Sequence, residues 1–495
     1  MTSENNLQRA VVRSTLINLS LSLSLKFSLF VQSVILARIF LPADIGLFTT
    51  VIMTISFVLL LGQFGAEQAI IRHKEKESIF LLMDTALTLG LLVSTILFIA
   101  IFVLAPFIAI WTGQPKIGSY IRLLSFFTFG NTLAFPSALW IKNFQFGKAK
   151  LPVFADLVAS LGTTLLLFYL FDCGIWSLFY GRIGGFLANY GTLWVMTPYR
   201  PCLSVDAKLA RGMLGFGWPL LVNGLCNYFV WQGDQWLVLY FWGKEQLAYY
   251  VLAFSLSCYL RELVDMASAT LFPLFSRVQN ETNRMANAFS SSNKYLAIMT
   301  APIGIALCIF APTLIRYVFT EKWLSSVPLL QAFALATTLN VALGYNWGTL
   351  VLTSGRTRYL MYTNLWIIFL LCTVGVYMVR HFGPIGGCIF MFIQTCLTAL
   401  LFRLPIIYSE TKSLSFLKEI WKPLLSAVVS GVIIEILVIP FISSPAQLLA
   451  AGVGYAGLYI LFLILTDRAI IHEARYLSRI GFSFETSHQR GYFQS

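Results

Sequence analysis

Charged residues are scarce in this chain of 495 residues. Asp, Glu, Lys and Arg together make up 11% of it, whereas 58% is hydrophobic. Soluble domains carry roughly 25% charged residues, and a water-soluble protein of this length could not bury so much apolar surface. The composition therefore excludes a soluble domain and indicates that most of the chain lies in lipid.

The spacings that hold metals, disulfides or nucleotides are also missing. None of the eight cysteines stands in a C-x-x-C pair, and the four histidines fall in loops or in the C-terminal tail without forming a ligand cluster. The cysteines are typical of small core residues. No G-x-x-x-x-G-K-[ST] loop occurs, which argues against built-in ATP hydrolysis. We therefore expect no metal, no cofactor and no catalytic residues.

Long apolar runs are what the sequence does contain. A helix needs about 20 apolar residues to cross a bilayer, and runs without alternation exclude a closed β-barrel. We predict an all-α polytopic membrane protein with fourteen spans, at approximately 15–40, 45–66, 79–111, 117–141, 151–171, 174–196, 215–241, 246–274, 295–315, 326–352, 359–380, 384–404, 423–441 and 446–466.

The net charge of +13 follows from the loops between these spans. Of the 34 Lys and Arg residues, 24 lie in the N-terminus, the C-terminal tail and the loops on their side, and six lie in the opposite loops. Cytoplasmic loops carry such an excess of positive charge. We therefore expect both termini in the cytoplasm, and we expect no nucleic acid as a partner.

Three short patterns occur twice, in the same order and about 200 residues apart. The matched pairs are Leu36–Phe48 with Leu239–Tyr250, Gly147–Lys150 with Gly355–Arg358, and Gly174–Trp176 with Gly383–Gly387. Each repeat unit holds six spans, an even number, so the two halves are parallel repeats. Duplicated membrane bundles of this kind are usually transporters.

The repeat predicts four parts of the chain. Residues 1–196 form an N-terminal lobe of helices 1–6, and residues 215–404 form a C-terminal lobe of helices 7–12. Residues 423–466 supply two additional helices without a counterpart, and residues 467–495 form a cytoplasmic tail.

Several ionisable side chains fall inside the predicted spans, where they normally face a cavity or a partner. Lys26 lies near the middle of a serine-rich helix, which favours a cavity-lining position over snorkelling to a headgroup. Arg261 and Asp265 are four residues apart and can pair, either structurally or to hold the arginine toward a substrate. Asp234 is a candidate proton or cation site, with helix–helix hydrogen bonding as the alternative.

Three more intramembrane charges have local explanations. Arg182 stands among glycines, where close helix packing and a cavity wall are both consistent with the sequence. Arg122 lies near the outer end of its span, which favours snorkelling. Asp156 is close to the start of its span, which favours an interfacial ion pair with Lys150. A cavity that displays Lys26 and Arg182 together with Arg261 would attract an anion, and Arg and Lys are the usual binders of diphosphate.

The first repeated pattern resembles the end-of-helix-one signature of polysaccharide transporters of the Wzx type, over residues Arg38–Phe48. Asp234 with Gly243–Tyr250 is similar to the second-lobe counterpart of that family, although Ala248 replaces the usual Gly. The resemblance implies the MATE-like fold of the multidrug/oligosaccharidyl-lipid/polysaccharide exporter superfamily. It also implies flipping of undecaprenyl-diphosphate-linked oligosaccharide across a bacterial inner membrane, beside glycosyltransferases or a polymerase. Related flippases use cationic first-lobe residues, and Lys26 matches these by location.

Other functions remain open from the sequence. A lipid II or multidrug exporter would share the fold, although cationic drugs call for an acidic cavity. A membrane glycan polymerase or ligase would need a substantial outer loop with catalytic residues, and the outer loops here are short. An assembly scaffold is a further class. For a transporter, the outer position of the repeated hairpins makes Arg38 and Asp44 candidate gate residues.

Overall fold

A computed structural model describes residues 2–72, 79–143, 145–279, 281–442 and 444–467. Within these ranges the ordered backbone is helical and contains no strand. Helices predominate because a segment in lipid must satisfy its backbone hydrogen bonds internally. Eleven helices in this part of the chain are long and apolar enough to cross a membrane. The all-helical membrane fold is thus confirmed, and the count of fourteen spans stays a prediction.

The described residues form nineteen α-helices, and nine of these cover the first part of the chain, with a 3-10 segment at Ser125–Phe129. They are α1 (Thr2–Ile39), α2 (Pro42–Leu61), α3 (Ala66–Arg72), α4 (Ile79–Trp111), α5 (Ile117–Leu124), α6 (Gly130–Leu133), α7 (Ser137–Lys142), α8 (Phe146–Phe171) and α9 (Trp176–Met196).

Ten further α-helices follow. They are α10 (Ala207–Val278), α11 (Thr282–Leu314), α12 (Val327–Ala342), α13 (Trp347–Thr353), α14 (Arg358–Leu370), α15 (Val376–Phe382), α16 (Pro384–Thr398), α17 (Leu404–Thr411), α18 (Phe416–Leu437) and α19 (Pro445–Thr466). Short π-helical segments lie at Ile315–Phe319, Leu371–Gly375 and Ala399–Arg403, and 3-10 segments lie at Glu321–Ser326 and Ile439–Phe441.

Two of the predicted spans are broken helices. The predicted span 117–141 consists of α5, the 3-10 segment, α6 and α7, and the predicted span 326–352 consists of part of a 3-10 segment, α12 and α13. Pro136 interrupts the span 117–141, because proline lacks a backbone N–H. Gly344 interrupts the span 326–352 with a turn, at a φ of 79° that favours glycine. The prediction of one continuous helix in each of these two spans was therefore wrong. Both breaks fall at equivalent positions of the repeat.

The predicted boundary between spans seven and eight lies inside α10. Gly243 has φ 79° and ψ −178°, which no helix accommodates, so α10 is two helices joined end to end. A side chain at this φ would be strained, which explains why the second repeated pattern turns on a glycine.

The chain divides into two compact units. The first unit comprises Met1–Val251 with Asn364–Gly387, and the second comprises Leu252–Thr363 with Cys388–Ser495. The lobe boundaries that we infer from the repeat stay a prediction.

In the first unit, α2 packs antiparallel to the part of α10 that precedes Gly243. At one end a methyl group on Gly217 would overlap the backbone of Phe64, and at the other a methyl group on Gly46 would overlap the Lys244 carbonyl. Midway, the Tyr228 hydroxyl donates to the Met53 carbonyl over 2.9 Å. Because Gly217 and Gly46 have no side chains, the backbones of the two helices can come into contact at both ends.

In the second unit, α11 packs against α12, α18 and α19. At one end of these helices Asp467 accepts from two lysines, with 3.1 Å to the Lys294 ammonium of α11 and 3.5 Å to the Lys422 ammonium of α18. Asp467 follows α19, so one carboxylate ties three helices together. The two C-terminal helices are thereby anchored on α11.

Candidate functional site

The polar stripe of α1 is hydrogen-bonded within the helix. The Ser24 hydroxyl donates to the Ser20 carbonyl over 3.0 Å, and the Ser33 hydroxyl donates to the Phe30 carbonyl over 2.7 Å. Lys26 is half-buried on the same helix. Hydroxyl groups bonded in this way have an acceptor within their own helix. The cavity-lining role of Lys26 stays a prediction.

Arg182 of α9 is paired with Asp156 of α8 rather than standing alone. The Arg182 Nη1 lies 2.9 Å from the Asp156 Oδ1, and Asn189 donates to the other carboxylate oxygen over 3.4 Å. The interfacial pairing that we predicted between Asp156 and Lys150 is therefore wrong. Sequence spacing favoured Lys150 because it lies on the same helix, whereas the actual partner comes from the neighbouring one.

Glycines in α9 make this ion pair possible. A methyl group on Gly181 would overlap the Thr164 hydroxyl, and one on Gly185 would overlap the Asp156 carboxylate. The close packing of α8 and α9 thus places the Asp156 carboxylate next to the Arg182 guanidinium. The Arg182 side chain keeps 38% of its surface exposed, and its guanidinium lies 5.8 Å from the Phe127 ring centre. The close helix packing that the sequence allowed is present, and the cavity-wall position of Arg182 stays a prediction.

Asp234 is hydrogen-bonded across the Gly243 break. The Tyr250 hydroxyl donates to its Oδ2 over 2.6 Å, and the Gln235 backbone N–H donates to its Oδ1 over 2.8 Å. The helix–helix hydrogen bond is therefore present. The carboxylate retains lone pairs for a cation, and that role stays a prediction.

Arg261 and Asp265 form the predicted pair in the second unit, with 3.8 Å between Nε and Oδ2. The Tyr345 hydroxyl donates to the other Asp265 oxygen over 2.7 Å. The Arg261 side chain is 23% exposed and that of Asp265 is 51% exposed. The carboxylate is thus fixed from two sides, and it orients an arginine that still reaches the surface of its unit.

Sequence reasoning missed Arg403, which we counted with the loop after the twelfth span. Arg403 is 6% exposed and ends the π-helical segment Ala399–Arg403. Its Nη1 donates to the Asn340 carbonyl over 3.3 Å and to the Asn340 Oδ1 over 3.0 Å. It therefore caps the C-terminal end of α12, where a cation is favoured. A lone asparagine near the end of the apolar helix α12 was the available signal.

The gate candidates occupy the first hairpin. Arg38 lies exposed in the last turn of α1, and Asp44 lies half-buried in the first turn of α2. Each charge also suits the dipole of its own helix end. A role in gating therefore stays a prediction.

Groups of three or more His, Cys, Asp or Glu side chains that could hold a metal ion do not occur in the part of the chain that the structure describes. Asp156 and Asp265 each lie beside an arginine, and Asp234 and Asp265 each accept a tyrosine hydrogen bond.

A family model described as polysaccharide biosynthesis protein matches residues 35–328. The match covers more than half of the chain. The chain belongs to this polysaccharide biosynthesis family. The membership that we predicted from Arg38–Phe48 is confirmed.

Two relatives of this family member are named for polysaccharide biosynthesis, and one of them is named for transport. The chain is 25% identical over 412 residues to the lipopolysaccharide biosynthesis protein WzxC of Escherichia coli (strain K12), covering 79% of this chain and 80% of WzxC. It is 23% identical over 314 residues to the succinoglycan biosynthesis transport protein ExoT of Rhizobium meliloti (strain 1021), covering 62% of each. The chain thus spans less than two thirds of ExoT.

Solved structures show the fold of this family member. The lipid II flippase MurJ in an inward closed conformation superposes with a TM-score of 0.77 at 15% identity, over 92% of this chain and 100% of MurJ. An inward-facing MATE multidrug transporter superposes with a TM-score of 0.63 at 16% identity, over 81% of this chain and 99% of the transporter. The MATE-like fold is therefore confirmed.

Proposed function

We propose that this protein flips an undecaprenyl-diphosphate-linked oligosaccharide across the bacterial inner membrane by alternating access, with both termini cytoplasmic. Family membership and the similarity to WzxC and ExoT support a cargo from polysaccharide biosynthesis. The excess of Lys and Arg on one side of the predicted spans supports the orientation.

The observation that carries the proposal is the Arg261–Asp265–Tyr345 arrangement of the second unit. A diphosphate needs a cation with several donors, and a guanidinium supplies them in a planar fork. Asp265 holds Arg261 in place while the arginine stays 23% exposed. Such a cation can exchange its carboxylate contact for a diphosphate contact at little electrostatic cost, so it can bind and release the headgroup.

The first unit carries its own candidate cations, Arg182 and Lys26. Arg182 is held by Asp156 in the same way as Arg261 is held by Asp265. Flipping breaks no covalent bond, so neither a nucleophile nor an acid–base pair is needed. Energy would come from an ion gradient, for which Asp234 is the candidate site, or from downstream consumption of the product.

The proposed partners follow from the same cargo. Glycosyltransferases would assemble the lipid-linked unit on the cytoplasmic side, and a polymerase would consume it on the outer side. Membrane lipids surround the apolar helices and would accommodate the prenyl tail of the cargo.

The test is a deletion strain in which the lipid-linked intermediate is isolated and its leaflet determined. We expect the intermediate to accumulate in the cytoplasmic leaflet, and we expect wild-type protein to restore its transfer. Arg261→Gln should restore little transfer, whereas Arg284→Gln, which removes an equal charge from a 71% exposed side chain, should restore it fully. An intermediate that reaches the outer leaflet without this protein would defeat the proposal.

A multidrug exporter makes a different prediction. Efflux of cationic drugs that is unaffected by Lys26→Ala or Arg261→Gln would favour that function. Glycosyl transfer by the purified protein would instead favour a polymerase or ligase.

A further inference from the structure

A crevice of about 480 Å³ lies in the first unit, beside the turn that joins α4 to α5. Pro106 and Ile110 contribute to its apolar wall, and Ser119 and Arg122 are the polar side chains that line it. The cavity therefore combines an apolar surface with one cation. Its volume suits a small charged group with the beginning of a hydrocarbon chain.

The position of Arg122 is fixed by a proline in the facing helix. Pro106 lies inside α4 and has no backbone N–H, so it cannot donate to the carbonyl of Phe102 four residues earlier. The Arg122 Nε donates to that carbonyl instead, over 3.3 Å, and its guanidinium lies 5.2 Å from the Phe102 ring centre. One edge of the guanidinium is thereby anchored, which leaves the two terminal nitrogens for another acceptor.

Arg122 has no acidic residue close to it in the sequence. The sequence contains neither Asp nor Glu between Asp84 and Asp156. Among the described ion pairs, none involves Arg122. The surroundings of the crevice therefore favour an anion.

From the end of α4 we infer that the crevice lies near a membrane surface. The apolar helix α4 ends at Trp111, and both Ile110 and Trp111 are exposed, at 77% and 54%. Tryptophan is enriched where a span meets the headgroups. A phosphate at this depth would come from a lipid whose chains lie beside α4.

We propose that this crevice binds the headgroup phosphate of an anionic membrane phospholipid. The terminal nitrogens of Arg122 donate to the phosphate, the Ser119 hydroxyl supplies a further donor, and the first acyl carbons lie along Pro106 and Ile110. The site is independent of the transported cargo, because it is formed by α4 and α5 alone. Failure of the proposed transport function would therefore leave it standing.

The test measures lipid retained by the purified full-length protein in nanodiscs, by native mass spectrometry, with phosphatidylglycerol and phosphatidylcholine as the two probes. Wild-type protein should retain one phosphatidylglycerol in preference to phosphatidylcholine. Arg122→Gln should weaken that retention about tenfold, the effect of losing a charge-assisted hydrogen bond. The control Lys116→Gln removes an equal charge from the turn that precedes α5, outside the crevice. This variant should retain the lipid.

Pro106→Ala separates the lipid role from a purely structural one. It returns a backbone donor to the Phe102 carbonyl, so Arg122 loses its anchor while the helix gains a hydrogen bond. We expect weaker phosphatidylglycerol retention with no loss of thermal stability, and unchanged retention would contradict the anchoring role. Equal retention of both probes, an equal loss in the two charge variants, or displacement of phosphatidylglycerol by a polyprenyl diphosphate would overturn the proposal.

Discussion

The carbonyl group of Lys244 packs against the Cα of Gly46, with no space for a methyl group between them. Gly46 belongs to the first copy of the repeated pattern and Lys244 belongs to the second copy. The two equivalent hairpins therefore touch each other directly. Gly46 is needed there because any side chain would push α2 away from α10.

A valine at position 46 should therefore separate these helices. We expect Gly46→Val to lower the stability of the detergent-solubilised protein by about 1–3 kcal/mol, the usual cost of overpacking. Gly162→Ala is the matched control, since a methyl group there meets nothing within 4 Å and a helical Gly→Ala change is favourable. Thermal melting of both variants checks the prediction, and equal melting temperatures would contradict it.

The sequence predicted the membrane architecture because lipid imposes a simple rule on every span. Apolar length located α2, α4, α8 and α19 to within a few residues, and the repeat located the turn at Gly243. The breaks at Pro136 and Gly344 were missed, since the apolar composition continues through them. Hydropathy reports whether a segment lies in lipid but not whether its backbone stays helical.

The partners of the intramembrane charges were only partly predictable. Arg261 and Asp265 lie on one helix, so their spacing of four residues was sufficient. The pairing of Arg182 with Asp156 depends on how closely two helices approach, which Gly181 and Gly185 decide. Arg403 was missed because its partner is a backbone carbonyl, and sequence patterns do not show which carbonyl a cation will reach.

Arg38 and Asp44 flank the first hairpin turn and remain our candidates for a gate. If they control opening, Arg38→Ala and Asp44→Ala should slow transfer of the lipid-linked intermediate without lowering the free energy of unfolding by more than about 1 kcal/mol, the scale of helix-dipole effects. Transfer rates in reconstituted vesicles measure this. Normal rates in both variants would remove the gate role, and a large loss of stability would make these charges structural.

The Arg182–Asp156 pair should show coupled stability. Removing either partner leaves the other charge without its counter-ion. The separate destabilisations by Arg182→Gln and Asp156→Asn should therefore add up to more than the destabilisation of the double variant. Because Arg182 is 38% exposed, solvent weakens the interaction, and we expect a coupling energy of about 1 kcal/mol. A double-mutant cycle by thermal melting measures it. Strict additivity would mean that the pair does not contribute to stability.

Variants at Asp234 and Tyr250 can distinguish an ion-binding role of Asp234 from a purely structural hydrogen bond. Tyr250→Phe removes the donor at 2.6 Å and should lower stability by about 1.5–3 kcal/mol, the range for a bond to a charged group. If Asp234 binds the coupling ion, Asp234→Asn should abolish the dependence of transport on a Na⁺ or H⁺ gradient, whereas Tyr250→Phe should preserve it. Loss of the dependence in both variants would assign the carboxylate a structural role alone.

Asp467 should make stability depend on pH in the acidic range. Burial of its carboxyl raises the pKa, but the hydrogen bond and charge of Lys294, with the charge of Lys422, outweigh this and lower the pKa below its ordinary value of 3.8. A pKa that is lower in the folded state means that the carboxylate adds stability above about pH 4. That stability is lost as the pH falls through the folded-state pKa, because protonation leaves two lysines without a counter-ion.

The variant Asp467→Asn should therefore be less stable than the wild type at neutral pH. Its stability should also fall less than that of the wild type on acidification. Both lysines are largely buried, at 10% and 25% exposure, so we expect a cost of about 3 kcal/mol at pH 7, as for other broken buried pairs. Melting temperatures between pH 3 and pH 7 test this, with Asp172→Asn as the control at an exposed aspartate. The wild-type and Asp467→Asn curves should converge as the pH approaches 3. Parallel curves would show that the carboxylate does not anchor α19 to α11 and α18 through its charge.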